Sequence, residues 1–234
     1  MINLVFPLCL LRFRHLHELY LEYNSYKEIF LYEEDETHVG IVSKLDSVLQ
    51  KLESLIVEDC VNLIQIVPSS ASFQNLTFLK VCGCDGLKNL MTSSTAKSLV
   101  QLKEMAITFC KSMIEVVAKE GDVIEDDITF SKLRTLTLGY LPRLSFFCSE
   151  NYTLELPSLE KLNIFSCTEL KFFSSGDLTI PMLQKVTLNG RYLTLEGDLK
   201  TTIQKYLRYM HVYMEHKRNA TTFVKMVLTT PVKN

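Results

Sequence analysis

The stretch LESLIVEDCVNL, residues 52–63, places apolar side chains at Leu52, Leu55, Val57 and Leu63, with Cys60 between the last two. A half-buried strand alternates apolar and polar residues with period two, whereas an amphipathic helix repeats its apolar face roughly every 3.6 residues. This phrase does neither. Only Leu55 and Val57 stand in a strand's alternation, while Leu52, Cys60 and Leu63 fall outside it at intervals of three. The local reading is a short strand over 54–58, entered and left through bends that are themselves buried.

Written as L-x-x-L-x-L-x-x-C-x-x-L, the phrase recurs along the chain. It is met at Leu76, Leu79, Val81, Cys84 and Leu87, then at Leu102, Met105, Ile107, Cys110 and Met113. It returns at Leu133, Leu136, Leu138, Leu141 and Leu144, and at Leu159, Leu162, Ile164, Cys167 and Leu170. Upstream, Leu16, Leu19, Leu21 and Asn24 fit, followed loosely by Ile29. Downstream, Leu183, Val186 and Leu188 fit before Arg191 takes the cysteine slot and the pattern decays. This is the leucine-rich-repeat pattern. It predicts an α/β leucine-rich repeat solenoid of about seven repeats, starting near 16, 52, 76, 102, 133, 159 and 183. Each strand turns two apolar residues inward, and neighbouring repeats stack because one alone cannot bury its apolar face. A curved parallel sheet then lines the concave side, with irregular or short helical return segments behind it.

The cysteine slot lies where the chain bends away from the sheet, and backbone groups freed by the bend must still be paired. Asparagine does this strongly, as at Asn24; a small thiol does it weakly while packing well. Cys60, Cys84, Cys110 and Cys167 therefore read as structural thiols in a ladder. The only close pair, Cys82-Gly83-Cys84, should point its two side chains to opposite faces, which speaks against zinc. Seven cysteines is an odd count in a chain too long to need disulfide staples, so reduced thiols are expected.

Composition bounds the rest. A hydrophobic fraction of 47% is ample for a core, and a net charge of −2 gives no electrostatic case for nucleic acid. Acidic runs at 33–36 (EEDE) and over 115–127 fall in the longer repeats, and are expected as solvated loops on the return side. The second belongs to an insertion over 118–130. No run of ~20 apolar residues is present to span a membrane. The N-terminal MINLVFPLCLLRF lacks the charged start and small-residue cleavage site of a signal peptide, so its sequons at Asn75, Asn151 and Asn219 carry little weight. Beyond Gly197, Asp198 is a good N-cap for a helix with apolar Leu199, Ile203, Leu207 and Met210. Such a helix would close the open end of the stack. The expected division is a repeat domain over 1–197 and a cap helix with tail over 198–234, the tail being mildly basic.

The phrases LESLIVEDCVNLIQIV, FQNLTFLKVCGCDGLKNL, LVQLKEMAITFCKSMIEVV and LPSLEKLNIFSCTELKFF resemble the C-terminal repeats of plant intracellular disease-resistance proteins. These are the coiled-coil, nucleotide-binding, leucine-rich-repeat receptors. The openings at Phe73, Phe130, Pro157 and Pro181, and the ending GDLKTTIQKYL, carry the same likeness. It spans about residues 10–210. The resemblance implies a cytoplasmic module of plant defence. In that family the repeats sense pathogen effectors or guarded host proteins and hold a nucleotide-binding domain inactive. One departure is plain: no glycine here is followed by lysine, so the G-x-x-x-x-G-K-[ST] phosphate loop is absent and ATP binding is not expected from these residues. A detached repeat region is the expectation, either a fragment or a truncated product.

No constellation for catalysis appears: no G-x-S-x-G, no H-E-x-x-H, no paired C-x-x-C. His15 and His17 flank Leu16 as ordinary polar positions. No enzyme, cofactor or metal is expected, and function must lie on a surface. By register, the protein-binding positions on the concave face are Tyr20, Glu22, Tyr23, Ile56, Glu58, Asp59, Phe78, Lys80, Thr108, Phe109, Tyr140, Lys161, Phe165 and Lys185. Exposed aromatics among them are typical interface anchors, unless they pack on one another. Acids lie in the first two strands and lysines in the last, a gradient that would orient a polar partner. The expected partner is a protein: an effector, a guarded host protein or a receptor's nucleotide-binding domain. A rival reading, an F-box-type substrate adaptor of the ubiquitin system, would need an N-terminal helical motif for which residues 1–15 are too short.

Overall fold

The structure, a computed structural model, describes residues 15–29, 47–66, 71–119, 127–148, 152–171, 173–174 and 176–193. The expected cap helix, the tail and the acidic run at 33–36 lie outside the described residues.

Strands are numbered in chain order. The main sheet holds β1 (Glu18–Glu22), β2 (Ser54–Glu58), β3 (Phe78–Cys82), β5 (Glu104–Thr108), β8 (Thr135–Gly139), β11 (Lys161–Phe165), β13 (Lys185–Leu188) and β14 (Arg191–Leu193), adjacent in that order. Every neighbouring pair from β1 to β13 is parallel and in register, so that Leu19, Leu55, Leu79, Met105, Leu136, Leu162 and Val186 form one row across the sheet. Leu21, Val57, Val81, Ile107, Leu138, Ile164 and Leu188 form a second. Both rows are buried. A parallel strand cannot return through a tight turn, so each crossover must be long; strand starts fall 36, 24, 26, 31, 26 and 24 residues apart. The regular sequence phrase is thus the record of a regular strand register.

The return segments add their own order. A three-stranded parallel sheet joins β4 (Met91–Thr92), β6 (Glu115–Ala118) and β9 (Phe146–Cys148). Another joins β7 (Ile128–Thr129), β10 (Leu154–Glu155) and β12 (Leu178–Thr179). A helix, α1 (Ser93–Ser98), starts where Thr92 caps the backbone N–H of Thr95. These sheets correct the ends of the insertion expected as a loop over 118–130, whose residues 120–126 lie outside the described residues. Ala118 closes β6, Ile128 opens β7, and Ile128 and Phe130 are fully buried. Phe130 meets Phe147 edge to face with centroids 6.0 Å apart, and Phe147 stacks with Phe173. Of the acidic run, Glu115 lies in β6 itself and Asp127, just before β7, is exposed.

The end of the main sheet also departs from the repeat. At Asn189-Gly190 the backbone takes φ of 48° and 79°, and β14 returns antiparallel beside β13. Two consecutive positive φ values are what a tight hairpin turn requires, and Asn-Gly supplies them at least strain. Arg191 therefore begins a hairpin strand rather than filling a bend, which is why the phrase decays there. Leu16 and Leu183, read as inward, are only half-buried.

Candidate functional site

At the end of each repeating strand two rows part company. The inner row is the cysteine slot. Cys60, Cys84, Cys110 and Cys167 are buried and unpaired as disulfides. Each thiol donates to the carbonyl two residues back, at 3.3, 3.4, 3.4 and 3.5 Å. Asn24 does the equivalent with opposite polarity: its Oδ1 accepts from the Tyr26 N–H at 2.9 Å. The structural account of the slot thus holds in atomic detail. The neighbouring Cys110 thiol pushes Cys84 up to about 12, and burial pushes Cys167 up to about 11. Cys84 and Cys167 therefore stay protonated and are poor nucleophiles.

The outer row precedes the slot by one residue: Tyr23, Asp59, Gly83, Phe109, Tyr140 and Ser166. All six have φ between 50° and 67°. In this conformation each of the first five sends its N–H to the last strand carbonyl of the next repeat. The bonds run Tyr23 to Glu58, Asp59 to Cys82, Gly83 to Thr108, Phe109 to Gly139 and Tyr140 to Phe165, at 2.9–3.1 Å. The sheet ladder is extended by one rung, and the side chains of this row are left at the rim of the outward face.

The outward face gathers the sequence-predicted residues into three groups. At the first end, Glu58 accepts from the Tyr20 phenol at 2.7 Å and pairs with Lys80 Nζ at 2.6 Å. Lys80 and then Tyr20 hold the Glu58 carboxyl below its usual range, and Glu58 raises Tyr20 and Lys80 in return. Asp59 raises the Tyr23 phenol, and Tyr23 and Glu22 are exposed. Ile56, Phe78 and Thr108 are half-buried on the same face. Glu58, read as a bare acid, is thus already answered by a lysine.

In the middle, Phe109 and Tyr140 stack with centroids 4.3 Å apart and planes 16° from parallel. Tyr140 then meets Phe165 edge to face at 5.3 Å. Gly139 makes this possible, because a β-carbon there would collide with the Phe165 ring. The aromatics therefore do pack on one another, yet Phe109 and Tyr140 remain 47% and 46% exposed. At the far end Lys161 and Lys185 are exposed register partners, and Lys185 Nζ lies 4.6 Å from the Tyr192 ring centroid.

Sequence reasoning missed Gly83 and Tyr192. Gly83 was signalled by a glycine directly after a strand, and Tyr192 by the Asn-Gly pair before it. His17 sits 3.0 Å from Glu53. Among the described residues no group of three metal-binding side chains converges, and no helix is long and apolar enough to cross a membrane.

Parallel strands with two inward apolar residues each, followed by a buried Cys or Asn bend, mark the leucine-rich-repeat class. Over residues 1–111 and again over 70–188 the chain matches the family of plant disease resistance protein RPS2-like leucine-rich repeats. The chain belongs to that family. Neither curated proteins nor solved structures gave a match.

Proposed function

We propose that the chain is a non-enzymatic protein-recognition module of plant innate immunity, whose seven parallel strands are successive turns of a curved solenoid. Its partner is a pathogen effector, a guarded host protein or the nucleotide-binding domain of a receptor, met in the cytoplasm through the outward sheet face. The observation that carries this reading is the exposed Phe109–Tyr140 stack in the middle of that face, on a chain of the disease-resistance family. A rigid aromatic pair offers large contact area with little entropy left to lose on binding.

Charge would set the orientation. Glu18, Glu22 and Asp59 lie at one end of the face and Lys161 and Lys185 at the other. A partner carrying the opposite gradient would be steered into a single register. The test is co-expression with a nucleotide-binding domain of the same family, followed by affinity capture. A complex lost on Tyr140→Ser supports the reading. No association with that domain or with any effector overturns it.

A further inference from the structure

The last rung of the outer row is built differently from the others. Since Ile164 pairs with Leu188, register would give the Ser166 N–H the backbone carbonyl of Asn189 as its acceptor. Instead it donates to the side chain, Asn189 Oδ1, at 2.7 Å. The Asn189 N–H is also held, donating to the Ile164 carbonyl at 2.8 Å. The amide of Asn189 is thus anchored by its oxygen, with its Cγ polarised by the donor. The next residue is the reverse case. The Gly190 N–H has no backbone acceptor among the described residues, and no heavy atom stands within 4 Å of where a β-carbon on Gly190 would lie. Both residues are exposed. Of all the asparagines in the chain, Asn189 alone is followed by glycine.

We propose that Asn189 is a site of spontaneous covalent modification, deamidation through attack by the backbone nitrogen of Gly190. That nitrogen gives up its proton and bonds to Asn189 Cγ; the Cγ–Nδ2 bond breaks, and Nδ2 leaves as ammonia with the proton. Glycine offers the attacking nitrogen without a side chain in the way. The Ser166 N–H steadies the negative charge that builds on Oδ1 during attack. Water then opens the cyclic imide at one of its two carbonyls. Breaking the bond to Cγ gives aspartate, and breaking the bond to the backbone carbonyl carbon gives isoaspartate. The two products act oppositely on the fold. Aspartate keeps an acceptor for the Ser166 N–H, strengthens that bond with its charge, and tolerates positive φ. Isoaspartate routes the backbone through an extra methylene, in a turn whose two positive φ values set the register of β14. The Thr187–Tyr192 pairing is then lost, and Tyr192 leaves Lys185.

The test ages the full chain at neutral pH and maps its peptides by mass against a zero-time control. The Gly190→Asn variant is aged in parallel, and the free peptide of residues 185–191 serves as a clock. The expected result is an amide-to-acid mass gain in the fragment that holds Asn189, split into two separately eluting forms. Asparagine at 190 tolerates the positive φ of the turn, while its side chain hinders the attack. Conversion in that variant should slow about tenfold, a barrier higher by about 1.4 kcal/mol. In ¹⁵N spectra the isoaspartate form should move both the Ser166 and Tyr192 amides, whereas Asn189→Asp should move Ser166 and leave Tyr192 in place. A fragment still unconverted when the free peptide has reacted fully would overturn the proposal. So would equal rates in parent and Gly190→Asn, or an isoaspartate form with the Tyr192 amide unmoved.

Discussion

The inner and outer rows at the strand ends lie one residue apart and could hardly differ more. The inner row is nearly uniform: four cysteines, one leucine and one asparagine, all answering the same need to fill a bend and pair its backbone. The outer row has one backbone conformation and five residue types upon it: Tyr23, Asp59, Gly83, Phe109, Tyr140 and Ser166. Glycine is the cheapest residue at positive φ, and an aromatic there is strained by about 1–2 kcal/mol. Folding alone would favour glycine on every rung. Phe109 and Tyr140 stand there instead, as the proposed binding face would require.

The contrast can be broken at its inner side with the largest effect. Leu141 fills the slot after β8 and is wholly buried. Leu141→Ala should lower stability by about 3 kcal/mol, seen as a fall in the urea midpoint. A loss under about 1 kcal/mol would mean the bend is not part of the core. Next comes the rung that only glycine suits. Gly83→Val places a β-branched side chain at φ 67° and against Asp59 Oδ1, and should destabilise by about 2 kcal/mol. Gly190 also has positive φ but open space around it, so Gly190→Asn should be tolerated in the same assay.

Two thiols of the inner row, Cys84 and Cys167, add a pH signature. Cys167 is held to about 11 by burial and Cys84 to about 12, against roughly 8.5 for a free thiol. The folded state therefore binds the proton more tightly than the unfolded chain. Stability from this source is complete below about pH 8.5 and is lost as pH rises through the folded values. The unfolding free energy should fall with a slope of up to about 1.4 kcal/mol per pH unit for each thiol. Cys167→Ala should flatten the curve between pH 9 and 11. An unchanged slope in that variant would show that its thiol does not couple to folding.

How far these rows could be read beforehand follows from what repeats. The inward leucines and the cysteine slot were legible because each copy meets the same physical demand at the same spacing. The outward positions followed by alternation, since a strand that buries Leu19 and Leu21 must turn Tyr20 and Glu22 out. What the phrase could not carry was anything confined to one repeat. The strands β4, β6, β7, β9, β10 and β12 are two to four residues long and sit in return segments of unequal length, too short for a period to register. The aromatic stack depends on Phe109 and Tyr140 adopting a conformation their side chains disfavour, which residue type alone argues against. The Lys80 that answers Glu58 lies 22 residues away, and only strand register brings them together. Gly83, directly after a strand, and the Asn189-Gly190 hairpin were the missed features with a local signal.

On the outer side the expected effects on stability are small, and that is the sharper half of the comparison. Phe109→Gly removes a stacking contact worth about 1 kcal/mol and relieves a strain of similar size. Its unfolding free energy, from urea titration, should stay within about 0.5 kcal/mol of the parent while partner capture falls. A large loss of stability would move the ring from the surface to the fold.

The central claim is that the inner rows hold the fold and the outward face meets the partner. The most direct test pairs two readings on one variant, Lys161→Glu with Lys185→Glu: the association rate with a captured partner at low and high salt, and the urea midpoint. The account predicts a slower, less salt-sensitive association with an unchanged midpoint. A rate and salt dependence equal to those of the parent, with the fold intact, would contradict it.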